Sequence, residues 1–457
     1  MTDKMKEQNQ HEIPTVEDRI NELKTLIGEE KLGDMQTLLA YMEPEDVAEI
    51  LSEFPVEDKV KIFNLLDPES AAVVLDDTDP HTRLQLLQQV ANDRLARVLD
   101  AMPVDEAADI VEEVPEKERE EILDLMEEKD AEEVEEILSY PEDSAARVMN
   151  PEFVHVGEEN DIEDAIRYLR SLEMDEDVFF VYVVDSLMKL RGIVPIRKLL
   201  TARKGALIKD IMEEDVHSAL VDEDQERVAH TMRKYDLTAL PVVDSKGVLV
   251  GRITVDDIID VMDEEHAEDI SRMTGTIEEE HGTETTMKAT QNRLPWLITC
   301  MLGSIVTGLV IQMFEVTLAE MIALVSFIPV ITATGGNSGV QASTVVVREI
   351  ALGRIDLPHV GEEIWRQLKI ALVLGVVCAT VLSVLANFWK HNTVVGIIVG
   401  LSIFLVVVWS NFVGVLIPVV FKKIGVDPAL ASGPLITTLN DVIGVFIYLS
   451  VATYLLA

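Results

Sequence analysis

The sequence predicts a multidomain protein: an α-helical superhelical domain, a pair of α/β domains and a long connecting helix, followed by an all-α membrane domain of five helices. Three observations support this prediction: a one-sided charge distribution, a repeated proline-led helix motif and five long apolar stretches. The net charge is −45, yet residues 291–457 hold equal numbers of acidic and basic residues. The whole imbalance therefore lies in residues 1–290, and the chain divides into an acidic half and a neutral, apolar half.

The first predicted domain, residues 1–140, repeats a short unit that begins with proline. The units are PEDVAEIL from Pro44, PVEDKVKIF from Pro55, PESAAVVL from Pro68, PVDEAADIV from Pro103 and PEKEREEIL from Pro115. Proline at the start and acidic residues in the first turn are typical of helix N-termini. The repetition predicts a superhelix of short helices. Its acidity disfavours nucleic acid as a partner and favours cations.

Residues 141–205 and 206–262 contain two related copies of a β-α-β-β-α pattern. VYVVD at 181–185 matches PVVD at 241–244, and in each copy a turn, a short strand and a helix follow. This order resembles a tandem cystathionine-β-synthase (CBS) domain pair, a module that usually senses ligands.

The second copy contains GRITVDD from Gly251, which resembles the motif with which CBS domains hold ribose. The matching residues are Thr254 and Asp257. In the first copy Pro195 and Lys198 stand at these two places. The second copy is therefore the candidate nucleotide site, with ATP as the expected ligand.

A connecting helix is predicted over residues 263–290, continuing a helical pattern that begins at Asp256. Asp257, Asp260, Glu264 and Glu268 are spaced three and four apart and share one helix face. Like charges stacked in this way repel, and divalent cations would relieve the repulsion. Because the helix leads to the first apolar stretch, the pattern predicts a gate, the alternative being a charged surface helix.

Five stretches contain the ~20 apolar residues that a helix needs to cross a bilayer. They are Leu294–Phe314, Leu318–Val347, Ile370–Trp389, Val394–Phe421 and Ala429–Leu456. With the acidic half in the cytoplasm, seven of the eight bases of residues 291–457 lie on cytoplasmic flanks, and only Lys390 lies on the other side. The five stretches predict a multi-pass protein of the cell membrane, and the positive-inside rule predicts cytoplasmic N-terminal domains and an extracytoplasmic C-terminus.

Asp441 lies inside the fifth stretch. It follows Asp427 by fourteen residues, which is ~21 Å along a continuous helix. A charge at mid-bilayer costs roughly 2.5–3.5 kcal/mol, and none of the five stretches contains a Lys or Arg that could offset it. An intramembrane carboxylate without a base indicates an ion pathway. The alternative is a neutral carboxyl hydrogen-bonded to a neighbouring helix.

The second and fifth stretches contain helix-breaking residues. The second reads PVITATGGNSGVQ, and we expect Pro329 and the glycines at 335–336 to break the helix. Freed backbone at membrane depth must line a cavity, together with the amides of Asn337 and Gln341. Close packing through small residues is the alternative. The fifth stretch is predicted to be interrupted at 432–434.

This order of parts, with PVITATGGNSGVQ and DPALASGPLITTLND, resembles the MgtE family of magnesium channels. The resemblance implies a homodimer with its pore at the two-fold axis. It implies that Asp441 selects Mg²⁺ and that Asn337, Gly433 and Thr437 line the pore around the hydrated ion. It also implies cytosolic Mg²⁺-sensing residues in the N-terminal domain, the second CBS copy and the connecting helix: Asp105 and Asp109; Asp224, Glu226 and Asp236; and Asp257, Asp260, Glu265, Glu268 and Asp269.

The hypothesis from the sequence is a Mg²⁺-selective channel for magnesium uptake that closes when cytosolic Mg²⁺ binds the acidic domains. Mg²⁺ releases its water reluctantly, so such a pore needs hydrogen-bond acceptors rather than a tight cage of ligands. The alternative is a proton- or sodium-coupled secondary transporter of divalent cations such as Mg²⁺ and Co²⁺, with Asp441 as a proton carrier. An enzyme is not expected, because the sequence has no Ser/His/Asp set, HExxH motif or phosphate-cradling glycine loop.

Overall fold

A computed structural model of the chain describes residues 16–172, 178–274, 276, 286–351, 360–430 and 433–457. The chain forms two compact units, Met1–Met262 and Asp263–Ala457. The first unit contains the N-terminal helices and two small α/β domains, and the second contains the long apolar helices. The predicted fold class is confirmed.

Short α-helices, α1 to α10, fill the described N-terminal part of the first unit. Pro44 and Pro68 are the first residues of their helices, whereas Pro55, Pro103 and Pro115 stand one residue before theirs. The proline-led helix starts are thus confirmed to within one residue. The bounds are α1 Val16–Gly28, α2 Leu32–Leu39, α3 Pro44–Leu51, α4 Val56–Leu65, α5 Pro68–Asp77, α6 Pro80–Gln89, α7 Asn92–Leu99, α8 Val104–Glu113, α9 Glu116–Leu123 and α10 Glu128–Leu138.

The two α/β domains repeat one topology. In each, the first strand is parallel to the second, the third strand is antiparallel to the second, and the ladder shifts register before the last residue of the middle strand. This confirms the predicted tandem pattern. The first copy is β1 His155–Gly157, α11 Ile162–Leu169, β2 Phe180–Val184, β3 Leu190–Pro195 and α12 Ile196–Thr201; the second is β4 Ala219–Leu220, α13 Gln225–Tyr235, β5 Ala239–Val243, β6 Leu249–Thr254 and α14 Val255–Thr274.

One hydrophobic core joins the N-terminal helices to the second α/β copy. Leu95, Ile110 and Val111 of the helices belong to the same buried cluster as Val242 and Ile253 of the second sheet. This shared core stabilises a packing in which the acidic loops and helix starts of both parts come close to α14.

The connecting segment differs from the prediction of one helix to residue 290. α14 ends at Thr274, where the backbone N–H of Thr276 donates to the carbonyl of Ser271 at 2.9 Å. The Thr274 hydroxyl also donates to the carbonyls of Ile270 and Ser271, so local hydrogen bonds satisfy the last turn. Residues 275 and 277–285 of the predicted helix lie outside the described residues.

Among its described residues, the second unit contains five helical segments long and apolar enough to cross a membrane, as predicted. α19 packs against α17, α18 and α20, while α15 packs against α20. The bounds are α15 Thr286–Met313, α16 Glu315–Glu320, a 3₁₀ turn Ile322–Phe327, α17 Ile328–Ala351, α18 Val360–Lys390, α19 Thr393–Ile424, a 3₁₀ turn Pro428–Leu430 and α20 Gly433–Leu456.

The predicted break in the second span is wrong. α17 runs without interruption through both glycines, and Pro329 is its second residue, where the missing N–H leaves no helical bond unmade. The glycines instead allow close packing: a Cβ on Gly335 would lie 2.6 Å from Val406, and one on Gly414 would lie 2.3 Å from the carbonyl oxygen of Gly339. The close-packing alternative therefore applies here.

The fifth stretch is not one helix, because the 3₁₀ turn Pro428–Leu430 precedes α20. The predicted position of the break is wrong for Gly433 and Pro434, which are the first two residues of α20, and residue 432 lies outside the described residues. The interruption changes the expected position of Asp441. It is the ninth residue of α20, about 12 Å from the start of that helix, rather than ~21 Å along a helix from Asp427.

Candidate ion pathway and cation-sensing residues

One face of α20 carries three of the four predicted pore residues. Gly433, Thr437 and Asp441 are spaced four apart, so they form one row along the helix. The Thr437 hydroxyl donates to the carbonyl of Gly433 at 2.8 Å and lies 3.1 Å from that of Pro434. Asp441 is partly exposed and has no hydrogen-bond or ion-pair partner in the part of the chain that the structure describes.

The fourth predicted residue, Asn337, lies on the neighbouring helix α17. α17 and α20 are antiparallel: a Cβ on Gly336 would lie 3.3 Å from Thr437, and one on Gly433 would lie 4.0 Å from Val340. Asn337 therefore lies near the level of Thr437. Its side chain is exposed, as is that of Gln341 one turn away. The structure thus places all four predicted pore residues on two adjacent helices.

A buried polar seam, missed at the sequence level, lies beside this face. Asn440, on α20, is fully buried at the contact with α17, and neither its Nδ2 nor its Oδ1 has a hydrogen-bond partner among the described residues. Its Nδ2 would lie 2.3 Å from a Cβ on Gly339. On α19, Asn411 donates to the hydroxyl of Ser338 at 2.5 Å. The position of Asn440 beside Asp441 was its only sequence signal.

The end of α14 lies at the start of α20. The carbonyl oxygen of Met273 is 3.5 Å from the position a Cβ would take on Gly433. Arg272 forms ion pairs with Asp427, in the loop before α20, and with Glu268 on its own helix. Asp427 also accepts a hydrogen bond from the backbone N–H of Ala429 at 2.7 Å. The last turn of α14 is thus held beside Gly433, the first residue of the Gly433–Thr437–Asp441 row on α20.

The predicted sensing residues Glu265 and Asp269 also lie in this last part of α14. Burial raises the pKa of Asp269 to about 6, and the negative charges of Asp427 and Glu265 add to the shift, while His266 opposes it. The sequence reasoning included Glu268 and Asp269 but missed Arg272 and Asp427. Only the fold brings Arg272 and Asp427 together, since 155 positions separate them.

A cluster of carboxyl groups joins the N-terminal helices to the start of α14 within the first unit. Asp105 is 6% exposed, and its Oδ1 has no hydrogen-bond partner among the described residues. Burial raises the pKa of Asp105 to about 8, and the charge of Asp257 adds to the shift. Burial likewise raises the pKa of Glu106 to about 9, with Asp76 and Asp105 contributing repulsion.

Asp76 and the predicted residue Asp260 extend this cluster. Burial raises the pKa of Asp76 to about 6; the charges of Asp77 and Asp260 raise it further, and Arg83 lowers it. Sequence reasoning named Asp105 and Asp260 but missed Asp76 and Glu106. Glu106 directly follows Asp105 after the helix-starting proline, so its sequence signal was present.

The candidate ribose-binding residues face the same cluster. The hydroxyl of Thr254 donates to Asp257 at 2.8 Å and also contacts the carboxylate of Asp256. The backbone N–H of Thr254 donates to Asp257 at 2.7 Å. Burial raises the pKa of Asp257, although these hydrogen bonds from Thr254 oppose the shift. Thr254 and Asp257 therefore bind each other beside Asp105.

The other predicted sensing residues lie apart. Asp109 is 3.3 Å from the guanidinium of Arg147. Asp224 caps the N-terminus of α13 by accepting from the N–H of Glu226 at 2.9 Å. Asp236 ends the same helix in a left-handed conformation, about 18 Å away along the helix axis. Among the described residues, no group of three or more His, Cys, Asp or Glu side chains is placed to hold a metal ion.

Comparison with known proteins identifies the family. A family model described as MgtE divalent cation transporter matches residues 328–451, the MgtE intracellular N domain model matches 42–143, and the CBS domain model matches 145–205 and 208–264. The magnesium transporter MgtE of Enterococcus faecalis is 38% identical over 320 residues, which is 70% of each chain. The chain belongs to the MgtE family.

Further relatives cover both halves. The magnesium transporter MgtE of Thermus thermophilus is 38% identical over 329 residues, covering 70% of this chain and 72% of that protein. The solved cytosolic domain of the Mg²⁺ channel MgtE in complex with ATP is 32% identical, with a TM-score of 0.51, over 53% of this chain and 99% of that one. This chain is therefore a membrane-embedded magnesium transporter of the family and not an enzyme, as predicted.

Proposed function

We propose that this chain is a Mg²⁺-selective channel, a homodimer whose pore lies between the α17–α20 faces of two copies. The observation that carries the proposal is Asp441, a carboxylate without a partner among the described residues, in one row with Thr437 and Gly433. Exposure of this row and of the neighbouring amides of Asn337 and Gln341 to lipid would cost free energy. A second copy related by a two-fold axis would cover both faces and enclose a polar conduit.

The chemistry of this face suits a hydrated Mg²⁺ ion. Mg²⁺ keeps its water shell, and shell water donates hydrogen bonds. Thr437 uses its own proton on the carbonyl of Gly433, so its oxygen lone pairs remain available to accept from that water. Two Asp441 carboxylates across the axis would add negative charge. Gly433 has no side chain, so the pore would be wide at this end of the row. Its contact to the ion would be made through backbone or water.

The gate is the last turn of α14, which lies against the start of α20. High cytosolic Mg²⁺ would bind the sensing carboxylates, hold the acidic domains together and keep this turn at the pore mouth. When Mg²⁺ falls, the bare carboxylates repel one another and the turn moves away. Each ion biases the gate only by its difference in affinity between the closed and open states.

The carboxyl cluster of the first unit supports this mechanism. Asp105 and Glu106 are packed against other carboxyl groups, and their raised pKa values show that ionisation opposes the packing. A divalent cation would remove this repulsion. Because no three such side chains converge on one point among the described residues, we propose that each Mg²⁺ ion is held between two carboxylates on facing surfaces. Asp224, Glu226 and Asp236 would then meet residues of the second copy.

ATP is proposed as a ligand of the CBS pair. The support is the solved MgtE cytosolic domain that contains ATP and the ribose-type residues Thr254 and Asp257 of the second copy. In this structure both residues face the carboxyl cluster. Nucleotide at this site and the packing of Asp105 against Asp257 would therefore exclude each other. The first unit is proposed to be cytoplasmic and the C-terminus extracytoplasmic, because the basic residues flank the cytoplasmic side.

The test of conduction is Mg²⁺ flux into liposomes that contain the Asp441→Ala protein. We expect flux to be lost while dimerisation is retained, with Glu315→Gln, an exposed acid of the same unit, as the charge-matched control. Wild-type flux should continue when the proton and sodium gradients are collapsed. Unchanged flux in the Asp441→Ala protein would refute the pore, and flux that stops without a proton or sodium gradient would favour the coupled transporter.

A further inference from the structure

Arg272 joins two elements that the proposed gate must bring together. Its guanidinium forms one ion pair with Glu268, one turn earlier on α14, and a second with Asp427 in the loop between α19 and α20. The Asp427 carboxylate also caps the 3₁₀ turn Pro428–Leu430 by accepting from the N–H of Ala429. The guanidinium of Arg272 is therefore connected, through the carboxylate of Asp427, to the 3₁₀ turn that precedes α20.

The surroundings of Arg272 are otherwise strongly acidic. Asp269 is partly buried beside Asp427, and Glu265 lies one turn away on α14. Without a cation between them, the carboxylates of α14 and the loop would repel each other and separate the two elements. A guanidinium with two carboxylate partners prevents this in the described structure, because it can donate to both at once.

The position of Arg272 determines where the next residue lies. The carbonyl of Met273 is 3.5 Å from the position a Cβ would take on Gly433, the first residue of α20. Loss of the ion pair to Asp427 would free the last turn of α14 from the loop. Met273 would then lose its fixed place beside the start of the proposed pore helix.

We propose that Arg272 is a built-in cation latch, which ties the end of α14 to the start of α20 and sets the cytosolic Mg²⁺ concentration at which the pore closes. The inference rests on the proposed gate and adds a positioning residue to it. A fixed positive charge that stabilises only the closed arrangement reduces the amount of Mg²⁺ needed to reach it. Arg272 does not contact the permeating ion.

The test is single-channel recording from the full-length dimer in lipid, with Mg²⁺ varied on the cytoplasmic face. Arg272→Gln should raise the half-closing Mg²⁺ concentration about two- to fivefold, the range expected for loss of a partly exposed ion pair. Unitary conductance should stay unchanged, and Arg272→Lys should recover part of the shift. The matched control is Arg366→Gln, which breaks an ion pair to Glu363 on the same helix, α18, and should leave Mg²⁺ closure unaltered.

A double substitution separates the latch from a general loss of stability. Asp427→Asn keeps an oxygen that can cap the 3₁₀ turn, yet removes the charge that Arg272 binds. If the contact is the cause, Arg272→Gln/Asp427→Asn should shift closure no further than either single change. Additive shifts, or an Arg272→Gln channel that closes like the wild type, would overturn the inference and leave the gate intact. A wild-type channel that ignores cytosolic Mg²⁺ would instead refute the gate, and the latch with it.

Discussion

Glu106 offers a quantitative test of whether buried negative charge opposes closure. Its pKa rises from 4.5 to about 9 in the folded first unit, chiefly through burial, with the charges of Asp76, Asp105 and the α14 residue Asp257 adding to the shift. At pH 7 the packed arrangement therefore holds a proton on Glu106 that a solvent-exposed glutamate would lack. Each pKa unit corresponds to about 1.4 kcal/mol. From 4.5 to pH 7, Glu106 therefore costs packing at most about 3 kcal/mol. Glu106→Gln removes the charge and should favour the closed arrangement by up to that amount.

The assay is the open probability of reconstituted channels against Mg²⁺ on the cytoplasmic face at pH 7. The interval from 4.5 to pH 7 corresponds to a factor of at most about three hundred in the closing equilibrium, so Glu106→Gln channels should close at clearly lower Mg²⁺. Glu118→Gln changes the net charge equally at an exposed position of α9 and should leave the curve in place. A Glu106→Gln channel that needs as much Mg²⁺ as the wild type, or more, would show that repulsion in this cluster does not drive opening.

Two further predictions concern packing. In metal-free protein the raised pKa values of Asp105 and Glu106 mean that the packed state holds extra protons. Packing is therefore favoured at low pH and weakens as pH rises towards about 9. Spin-label distances between α6 and α13 should lengthen between pH 6 and 9, and constant distances would contradict this. Gly414→Ala should destabilise the membrane unit by about 1–3 kcal/mol in thermal unfolding, because its Cβ would lie 2.3 Å from a backbone oxygen, whereas Gly308→Ala, with nothing within 4 Å, should have little effect.

The predictable part of the fold was encoded locally. Pro44 and Pro68 begin helices because a proline at the first helical position loses no hydrogen bond. The two CBS copies could be recognised because alternating strands and turns repeat at a fixed interval. The five spans followed from apolar length alone. The helix starts and the spans were each encoded within some twenty residues, and the CBS pair within two adjacent copies of one pattern.

The missed features depend on distant residues. Glycines in the second span predicted a break, but their tertiary partners, such as Val406 beside Gly335, make them packing positions in a continuous helix. The pairing of Arg272 with Asp427 spans 155 positions and has no local signal.

The most direct test of the account is single-channel recording from the wild-type dimer at equal pH and sodium on both sides, with cytoplasmic-face Mg²⁺ raised in steps. A Mg²⁺-gated channel should give unitary Mg²⁺ currents whose open probability falls steeply as Mg²⁺ rises. Absence of unitary currents, or an open probability that does not respond to Mg²⁺, would contradict it.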